Sequence, residues 1–175
     1  MLELRTVPAD HPDALRLVRE VQQVYVERYG EADLTPMRAA EFAPPGGIFL
    51  VGYDVGGVPV ACGGWRARDD ADPGLTPGDA EIKRMYVVPA ARGRGYARAV
   101  LAELERSAAT AGRRRAVLET GTRQPEALAL YTAQEYLPIP GFGVYRCAPD
   151  SRCFAKALPV PAVPPAHPDG TFART

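Results

Sequence analysis

Apolar and polar residues recur with two different periods along the chain, and the two periods divide it into strands and helices. Residues 2–7 alternate in the way that a half-buried strand does. The segment after them has apolar side chains at helical spacing, at Leu15, Val18, Val21, Tyr25 and Tyr29. A shorter helix is predicted to include residues 37–42, before prolines and paired glycines interrupt the chain.

The middle of the chain has the pattern of a hairpin followed by a third strand. Residues 47–67 contain two apolar strands joined at Gly56 and Gly57, which tolerate the positive φ values of a tight turn. An aspartate-rich loop leads to the third strand, at residues 80–88. A helical stripe of apolar side chains then occupies residues 95–111.

The last part of the pattern is predicted as a strand at 115–121, a helix at 124–136, and two strands near 143–148 and 151–158. The order is β-α-(α)-β-β-β-α-β-α-β-β, which predicts an α/β (α+β) fold with helices on the faces of a mixed, mostly antiparallel sheet. Residues 159–175 are rich in proline and lack periodicity, so we interpret them as an extended tail that follows a single domain at 1–158.

Composition excludes several classes of protein. The 175 residues suit one core, and 46% apolar with 24% charged residues is ordinary globular usage. Lys plus Arg equals Asp plus Glu at 21 each, so we expect no nucleic-acid partner. No apolar run predicts a membrane span, and the N-terminus lacks the pattern of a signal peptide. Three scattered cysteines without a His cluster favour the cytoplasm and predict no metal site.

The turn "RGRGYA", at residues 92–97, carries the most specific chemistry. The first N–H groups of a helix have no intrahelical partner and lie at the positive end of its dipole. Gly93 and Gly95 lack the Cβ atoms that would keep an anion away from those amides, while Arg92, Arg94 and Arg98 add charge. The turn lacks the Lys-Ser/Thr of a P-loop, and Arg98 stands where a Rossmann fingerprint has glycine or alanine.

This turn resembles a known family motif. Residues 92–97 match the pattern Arg/Gln-x-x-Gly-x-Gly/Ala of the GCN5-related N-acetyltransferase (GNAT) superfamily, and they follow a strand, "EIKRMYVVP", that is similar to the fourth strand of that family. Downstream, "ALALYTAQEYLPI" resembles its second motif, in which a tyrosine follows an alanine-rich helix. The resemblance covers residues 2–158.

The resemblance implies acetyl-CoA as the donor and a GNAT-like acyl-CoA N-acyltransferase fold. The turn would hold the pyrophosphate through Arg92, Gly93, Arg94, Gly95, Tyr96 and Ala97. The backbone of Met85, Tyr86 and Val87 would pair with the pantetheine arm. Gln124 stands where the family often has Asn at this arm, and Glu135 stands where a glycine usually precedes the aromatic residue.

The resemblance also implies catalytic groups. Glu81 occupies a position where family members often carry the general base, although a salt bridge at a strand start explains it equally well. Tyr131 matches the tyrosine that protonates the coenzyme A sulfur, with a place in the core as the alternative. Glu119 is a second carboxylate, on a strand expected to splay from the strand of Met85. It is predicted either to bind the acceptor amine or to be a strand-end charge that faces water. Tyr25 and Tyr29 are predicted as core or rim, or as walls of the acceptor site.

These inferences predict a cytoplasmic enzyme that moves an acetyl group from acetyl-CoA to a primary amine of a small molecule or peptide. The resemblance allows a homodimer. One alternative is an acyl-CoA-binding sensor or partner-binding module of the same fold without turnover, and a nucleotide-binding module is a weaker one. One loop before Glu81 carries Asp69, Asp70, Asp72 and Asp79, which either flank the cleft and attract a cationic amine or belong to a solvated loop.

Overall fold

The computed structural model of the chain describes residues 1–159, so the tail predicted at 159–175 lies outside the described residues except for Pro159. The strands are β1 (Glu3–Val7), β2 (Gly47–Tyr53), β3 (Pro59–Arg68), β4 (Asp79–Val87), β5 (Arg115–Gly121), β6 (Leu137–Ile139) and β7 (Ser151–Ala157). The helices are α1 (Pro12–Tyr29), α2 (Tyr96–Thr110) and α3 (Pro125–Ala133), with short 3₁₀ turns at Ala39–Phe42 and Pro89–Ala91.

The seven strands form one sheet in the order β1-β2-β3-β4-β5-β7-β6. Every neighbouring pair is antiparallel except β4 and β5, which run parallel. The predicted mixed, mostly antiparallel sheet is therefore confirmed, as is the hairpin of β2 and β3 around Gly57, whose φ is 73°. Parallel strands need a crossover, and α2 supplies it between β4 and β5.

One predicted strand is wrong. Residues 143–148 form turns, and the edge strand lies earlier, at β6, where it pairs with β7. The alternation of Val144, Tyr145 and Arg146 suggested a strand, but Gly143 has a φ of 72° and begins a turn instead. As a result, Tyr145 lies on a loop.

The core lies on both faces of the sheet, because β2 is buried along its whole length. On one face, α1 packs Leu17 and Val21 in the same cluster as Phe49 and Val51. On the other face, α2 packs with the alternate residues of the sheet, in a cluster that includes Leu50, Trp65, Leu101, Leu104, Leu118 and Tyr131. Within residues 1–159, no helix has the length and hydropathy needed to cross a membrane.

Candidate active site

The parallel strands β4 and β5 separate halfway along their length. Their pairing runs from Asp79 opposite Arg115 to Ile82 opposite Leu118 and then stops. β5 continues beside β7 as far as Gly121, whereas β4 continues beside β3. The divergence predicted for the strands of Met85 and Glu119 is therefore observed. Beyond Ile82, the edge of β4 facing β5 has no strand partner within residues 1–159, which leaves backbone groups able to pair with an extended ligand.

A bulge in β4 lies at this fork. The register with β3 shifts between Cys62 and Gly64, and Arg84 has a φ of 58°, a left-handed conformation uncommon for a residue with a side chain. The Arg84 carbonyl accepts a hydrogen bond from the Cys62 thiol, over 3.4 Å. The bulge changes the direction of the last part of β4, so Lys83 and Met85 lie where the two strands part.

The glycine turn follows β4 and has an open surface. Gly93 and Gly95 adopt φ values of 74° and 78°. Chain neighbours apart, a Cβ at Gly93 would meet no heavy atom within 4 Å, and one at Gly95 would meet only the Arg98 guanidinium at 3.7 Å. Gly95 is the N-cap residue before α2 and offers no capping side chain, so the first amides of the helix face this open surface. The residues present therefore fit a phosphate group.

Arginine side chains tie the turn to the end of β4. The Arg92 guanidinium donates a hydrogen bond to the Val87 carbonyl over 3.1 Å, and Arg94 donates one to the Ala90 carbonyl over 3.4 Å. These contacts fix the turn beside the fork without covering its glycines.

A cavity of about 230 Å³ opens on the β5 side of the fork. Four of the residues predicted for the site line it, namely Tyr25, Tyr29, Glu119 and Gln124. Tyr29 stands directly over Gly121, where any Cβ would collide with its ring, and its hydroxyl accepts a hydrogen bond from the Arg123 amide over 3.1 Å. The end of α1 and the end of β5 are thereby held together as two walls of the cavity.

Glu119 is one of the carboxylates that line this cavity. Its Oε1 accepts a hydrogen bond from the Ser151 hydroxyl over 2.9 Å, and no Lys, Arg or His nitrogen within residues 1–159 lies within 4 Å of it. Burial raises the pKa of Glu119, and the Ser151 hydrogen bond and the charge on Lys83 offset only part of that increase. A carboxylate with a raised pKa at a cavity wall is suited to accept a proton.

Glu81 has the opposite environment. It is 2% exposed, it does not line the cavity, and its Oε2 accepts hydrogen bonds from Arg66 over 2.8 Å and from Arg68 over 2.7 Å. Burial alone would raise its pKa, but the positive charges of Lys83 and Arg66 and the hydrogen bond from Arg68 outweigh burial, so the pKa is lowered. These contacts agree with the salt bridge predicted as the alternative, and they do not support a role for Glu81 as the general base.

Lys83 and Arg84 connect the fork to the loop after α1. The carboxylate of Asp33 accepts hydrogen bonds from Arg84 and, over 3.4 Å, from Lys83. Arg84 also donates to the Thr35 carbonyl over 3.1 Å. Burial would raise the pKa of Asp33, yet the charges of Lys83 and Arg84 lower it to about 2. The ion pair holds the loop over the cavity, which Asp33 and Lys83 both line.

Tyr131 lies in the core on α3 and is 5% exposed. Its ring packs against Tyr136 with centroids 5.6 Å apart. Burial raises the pKa of Tyr131 most, and the neighbouring Tyr25 raises it further. Burial raises the pKa of Tyr25 as well. Two phenols that stay protonated thus lie near each other, one in the core and one on the cavity wall. Glu135, at the end of this helix, has a φ of 64°, which explains in physical terms why glycine is common at its position.

The aspartate loop does not form part of the cavity. Asp69 accepts hydrogen bonds from Arg113 and from the Gly78 amide, and Asp70 forms an ion pair with Arg68 at 2.7 Å. Asp72 accepts from the Gly143 amide over 3.2 Å. Asp79 lies in β4 instead of the loop, where it is buried and pairs with Arg115 at 2.7 Å. None of the four aspartates lines the cavity and each has a partner, so these contacts do not support a steering role.

Several cavity residues have no signal in the sequence. Asp33 and Glu31 belong to an irregular loop, and Tyr145 belongs to the segment wrongly predicted as a strand. Tyr145 accepts a hydrogen bond from the Leu34 amide over 2.8 Å, so it joins two loops that are distant in sequence. Within the described part of the chain, no group of three or more His, Cys, Asp or Glu side chains is placed to hold a metal ion.

Comparison with known proteins gives consistent matches. The acetyltransferase (GNAT) family matches residues 14–136. A relative from Azospirillum brasilense named IAA acetyltransferase is 31% identical over 144 residues, which cover 82% of this chain and 90% of the relative.

Among solved structures, an acetyltransferase of the GNAT family from Staphylococcus aureus has a TM-score of 0.68 at 13% identity, covering 91% of this chain and 100% of that one. A GNAT superfamily phosphinothricin acetyltransferase from Sinorhizobium meliloti, in complex with AcCoA, has a TM-score of 0.60 at 21% identity, covering 95% of this chain and 94% of that one. At these identities the two structures show a shared fold.

Proposed function

Because the chain belongs to the acetyltransferase (GNAT) family, we propose that it transfers the acetyl group of acetyl-CoA directly to a primary amine. The observation that carries this proposal is the fork of β4 and β5, which has an open glycine turn at one side and a cavity with an unpaired carboxylate at the other. An acyl donor and an amine acceptor would meet at the fork.

The donor would lie along β4. The amides of residues 92–97, at the start of α2, would hold its pyrophosphate, and backbone groups of residues 85–87 on the edge of β4 away from β3 would pair with its pantetheine arm. One of those backbone N–H groups would also stabilise the oxyanion that develops on the thioester carbonyl. Gln124 precedes α3 as its N-cap residue and lines the cavity, where its side chain would contact the same arm. The phosphinothricin acetyltransferase with a similar fold binds AcCoA, which supports this donor.

We propose Glu119, rather than Glu81, as the general base. An amine arrives as an ammonium and must lose a proton before its nitrogen attacks the thioester carbonyl. Glu119 has a raised pKa and faces the cavity, whereas two arginines occupy the carboxylate of Glu81. Tyr25 and Tyr29 would line the path of the acceptor.

Tyr131 would supply the proton for the departing thiolate. Its phenol is protonated at neutral pH, and α3 holds it in a fixed position against Tyr136. Residues 1–158 would form the acetyltransferase domain. The free thiols of Cys62, Cys147 and Cys153 support the cytoplasm as the proposed compartment.

The proposal is tested by heat denaturation with and without acetyl-CoA, together with an assay for release of free thiol in the presence of primary amines. Acetyl-CoA is expected to raise the melting temperature, because a ligand that binds only the folded state stabilises it by mass action. Gly95→Val should abolish that increase, since its side chain would occupy the open surface of the turn.

Gly112→Val is the matched control. Gly112 also has a positive φ, of 80°, and open surroundings, but it lies at the far end of α2. Both substitutions therefore carry similar backbone strain, and only the first should affect the response to acetyl-CoA. Equal responses in the two variants would contradict the proposed donor site. Binding of acetyl-CoA without thiol release would favour the sensor alternative.

A further inference from the structure

The cavity beside the fork has an unequal charge. Four carboxylates line it, from Glu31, Asp33, Glu119 and Asp150, against the single ammonium of Lys83. Such a cavity favours a ligand of positive charge, because its walls already hold more negative than positive groups.

The positive groups at the cavity are already paired. Lys83 lies 3.4 Å from Asp33 and 3.9 Å from Glu81, and Arg84 donates to Asp33 and to the Thr35 carbonyl. At the rim, Arg123 lies 3.8 Å from Asp150. The carboxylates already present largely neutralise these cations, so a carboxylate on the acceptor would add a fifth negative charge to the four that line the cavity.

The two other carboxylates have no cationic partner. Neither Glu31 nor Glu119 lies within 4 Å of a Lys, Arg or His nitrogen in residues 1–159, and Glu119 has only the Ser151 hydroxyl as a hydrogen-bond donor. Glu119 is partly buried, so it gains from a ligand that supplies a counterion. Glu31 is exposed, so its attraction for a cation is weaker and is screened by solvent. Tyr25, Tyr29 and Tyr145 also line the cavity, and aromatic rings attract organic cations.

Resting on the proposed function, we propose that the acceptor is a small alkyl or arylalkyl amine without a carboxylate beside its amino group, rather than an α-amino acid. The ammonium lies at Glu119, and the tyrosines surround the hydrocarbon part. After one proton of the ammonium passes to Glu119, the neutral nitrogen bonds to the acetyl carbon and the carbon–sulfur bond breaks. The nitrogen loses its second proton to solvent to give the neutral amide, the thiolate takes a proton from Tyr131, and solvent reprotonates Tyr131.

The experiment compares pairs of acceptors that differ only in the carboxylate. Thiol release is measured with phenethylamine and phenylalanine, and with isoamylamine and leucine, together with the amide of each amino acid. The amides keep the bulk at the α-carbon and remove the charge. We expect kcat/KM for the amines to exceed that for the amino acids by on the order of 100-fold, with the amides close to the amines, because like charges brought together in a cavity are strongly disfavoured.

Glu31→Lys locates the cause of the preference. This change reverses one charge of the cavity wall, so the ratio of amine to amino acid should fall by about tenfold, the size expected for a charge reversal in a solvent-exposed wall. Asp10→Lys is the matched control, because Asp10 is exposed and precedes the N-terminus of α1, while Tyr25 and Tyr29 lie near its C-terminus. The 18 residues of α1 span roughly 27 Å, well beyond the Debye length at physiological salt.

Amino acids acetylated as well as the amines would overturn the inference while the proposed function stands. A preference for amines that Glu31→Lys leaves unchanged would contradict its assignment to the cavity charge. If neither series is acetylated although acetyl-CoA raises the melting temperature, the proposed function fails, and this inference fails with it.

Discussion

The β4–β5 pair carries one glutamate where the strands are still paired and another just past the last pair, and the two have different partners and opposite pKa shifts. At the closed end, where the strands pair, Glu81 contacts Arg66 and Arg68 and its pKa is lowered. At the open end, where the strands part, Glu119 contacts only a hydroxyl and its pKa is raised.

The comparison shows that burial alone does not decide which glutamate can act as a base. Burial is the largest influence on both groups and raises the pKa of each. The counterions decide the outcome, because they reverse the effect of burial at Glu81 and are too weak to do so at Glu119. A buried carboxylate in a family position is therefore insufficient to identify a base, and its partners must be known.

The largest expected effect is on stability, at the closed end. Glu81→Gln would leave two largely buried guanidinium groups without their shared carboxylate, and breaking a buried ion pair costs roughly 3–5 kcal/mol. We expect a loss of about 3 kcal/mol in the free energy of unfolding, because Arg66 and Arg68 keep Glu41 and Asp70 as second partners. Urea denaturation measures it.

Glu103→Gln is the control for Glu81→Gln. It removes a carboxylate from a surface pair with Arg106, which contributes little. A Glu81→Gln variant that is fully stable but acetylates amines about 100-fold more slowly would restore Glu81 as the base.

The next effect is on turnover, at the open end. Glu119→Gln and Tyr131→Phe each remove one proton-transfer group, and each should lower kcat/KM for amines by about 10²-fold, in line with general acid–base contributions. Thiol release measures the rate, and the increase in melting temperature with acetyl-CoA should remain in both variants. Unchanged turnover in Tyr131→Phe would assign this residue to the core alone.

Local patterns predict much of this fold. The alternation of residues 2–7, the turn at Gly56 and Gly57 and the stripe of α2 each lie within one element, so periodicity reveals them. Periodicity does not reveal the partners of Glu81, because Arg66 lies opposite Glu81 only through the register of β3 and β4, which a bulge shifts. Asp33 reaches Lys83, fifty residues further along the chain, from a loop without periodicity.

The same difference between local patterns and long-range contacts applies to the candidate site. The glycine turn was predictable because its chemistry lies within six consecutive residues. The cavity was predictable only in part, since Tyr25, Tyr29, Glu119 and Gln124 come from separate elements and Tyr145 comes from a segment with a misleading alternation. Residues that act through long-range contacts carry little local signal.

The smallest expected effect concerns Ser151, the one hydrogen-bond donor to Glu119 among residues 1–159. Its hydrogen bond lowers the pKa of Glu119 against the larger effect of burial, so Ser151→Ala should raise that pKa further. A base acts only when deprotonated, so the acidic limb of the kcat/KM profile should move to higher pH, with the rate at the plateau little changed.

The free energy of unfolding should also depend on the pKa of Glu119. A carboxyl whose folded-state pKa is raised loses stability as pH rises through that pKa, and the loss should be larger in Ser151→Ala. Thr122→Val is the control, because it removes a hydroxyl bonded to Asp150, an exposed carboxylate on the same cavity. An acidic limb that stays in place in Ser151→Ala, or that moves equally in Thr122→Val, would show that the limb does not report the ionisation of Glu119.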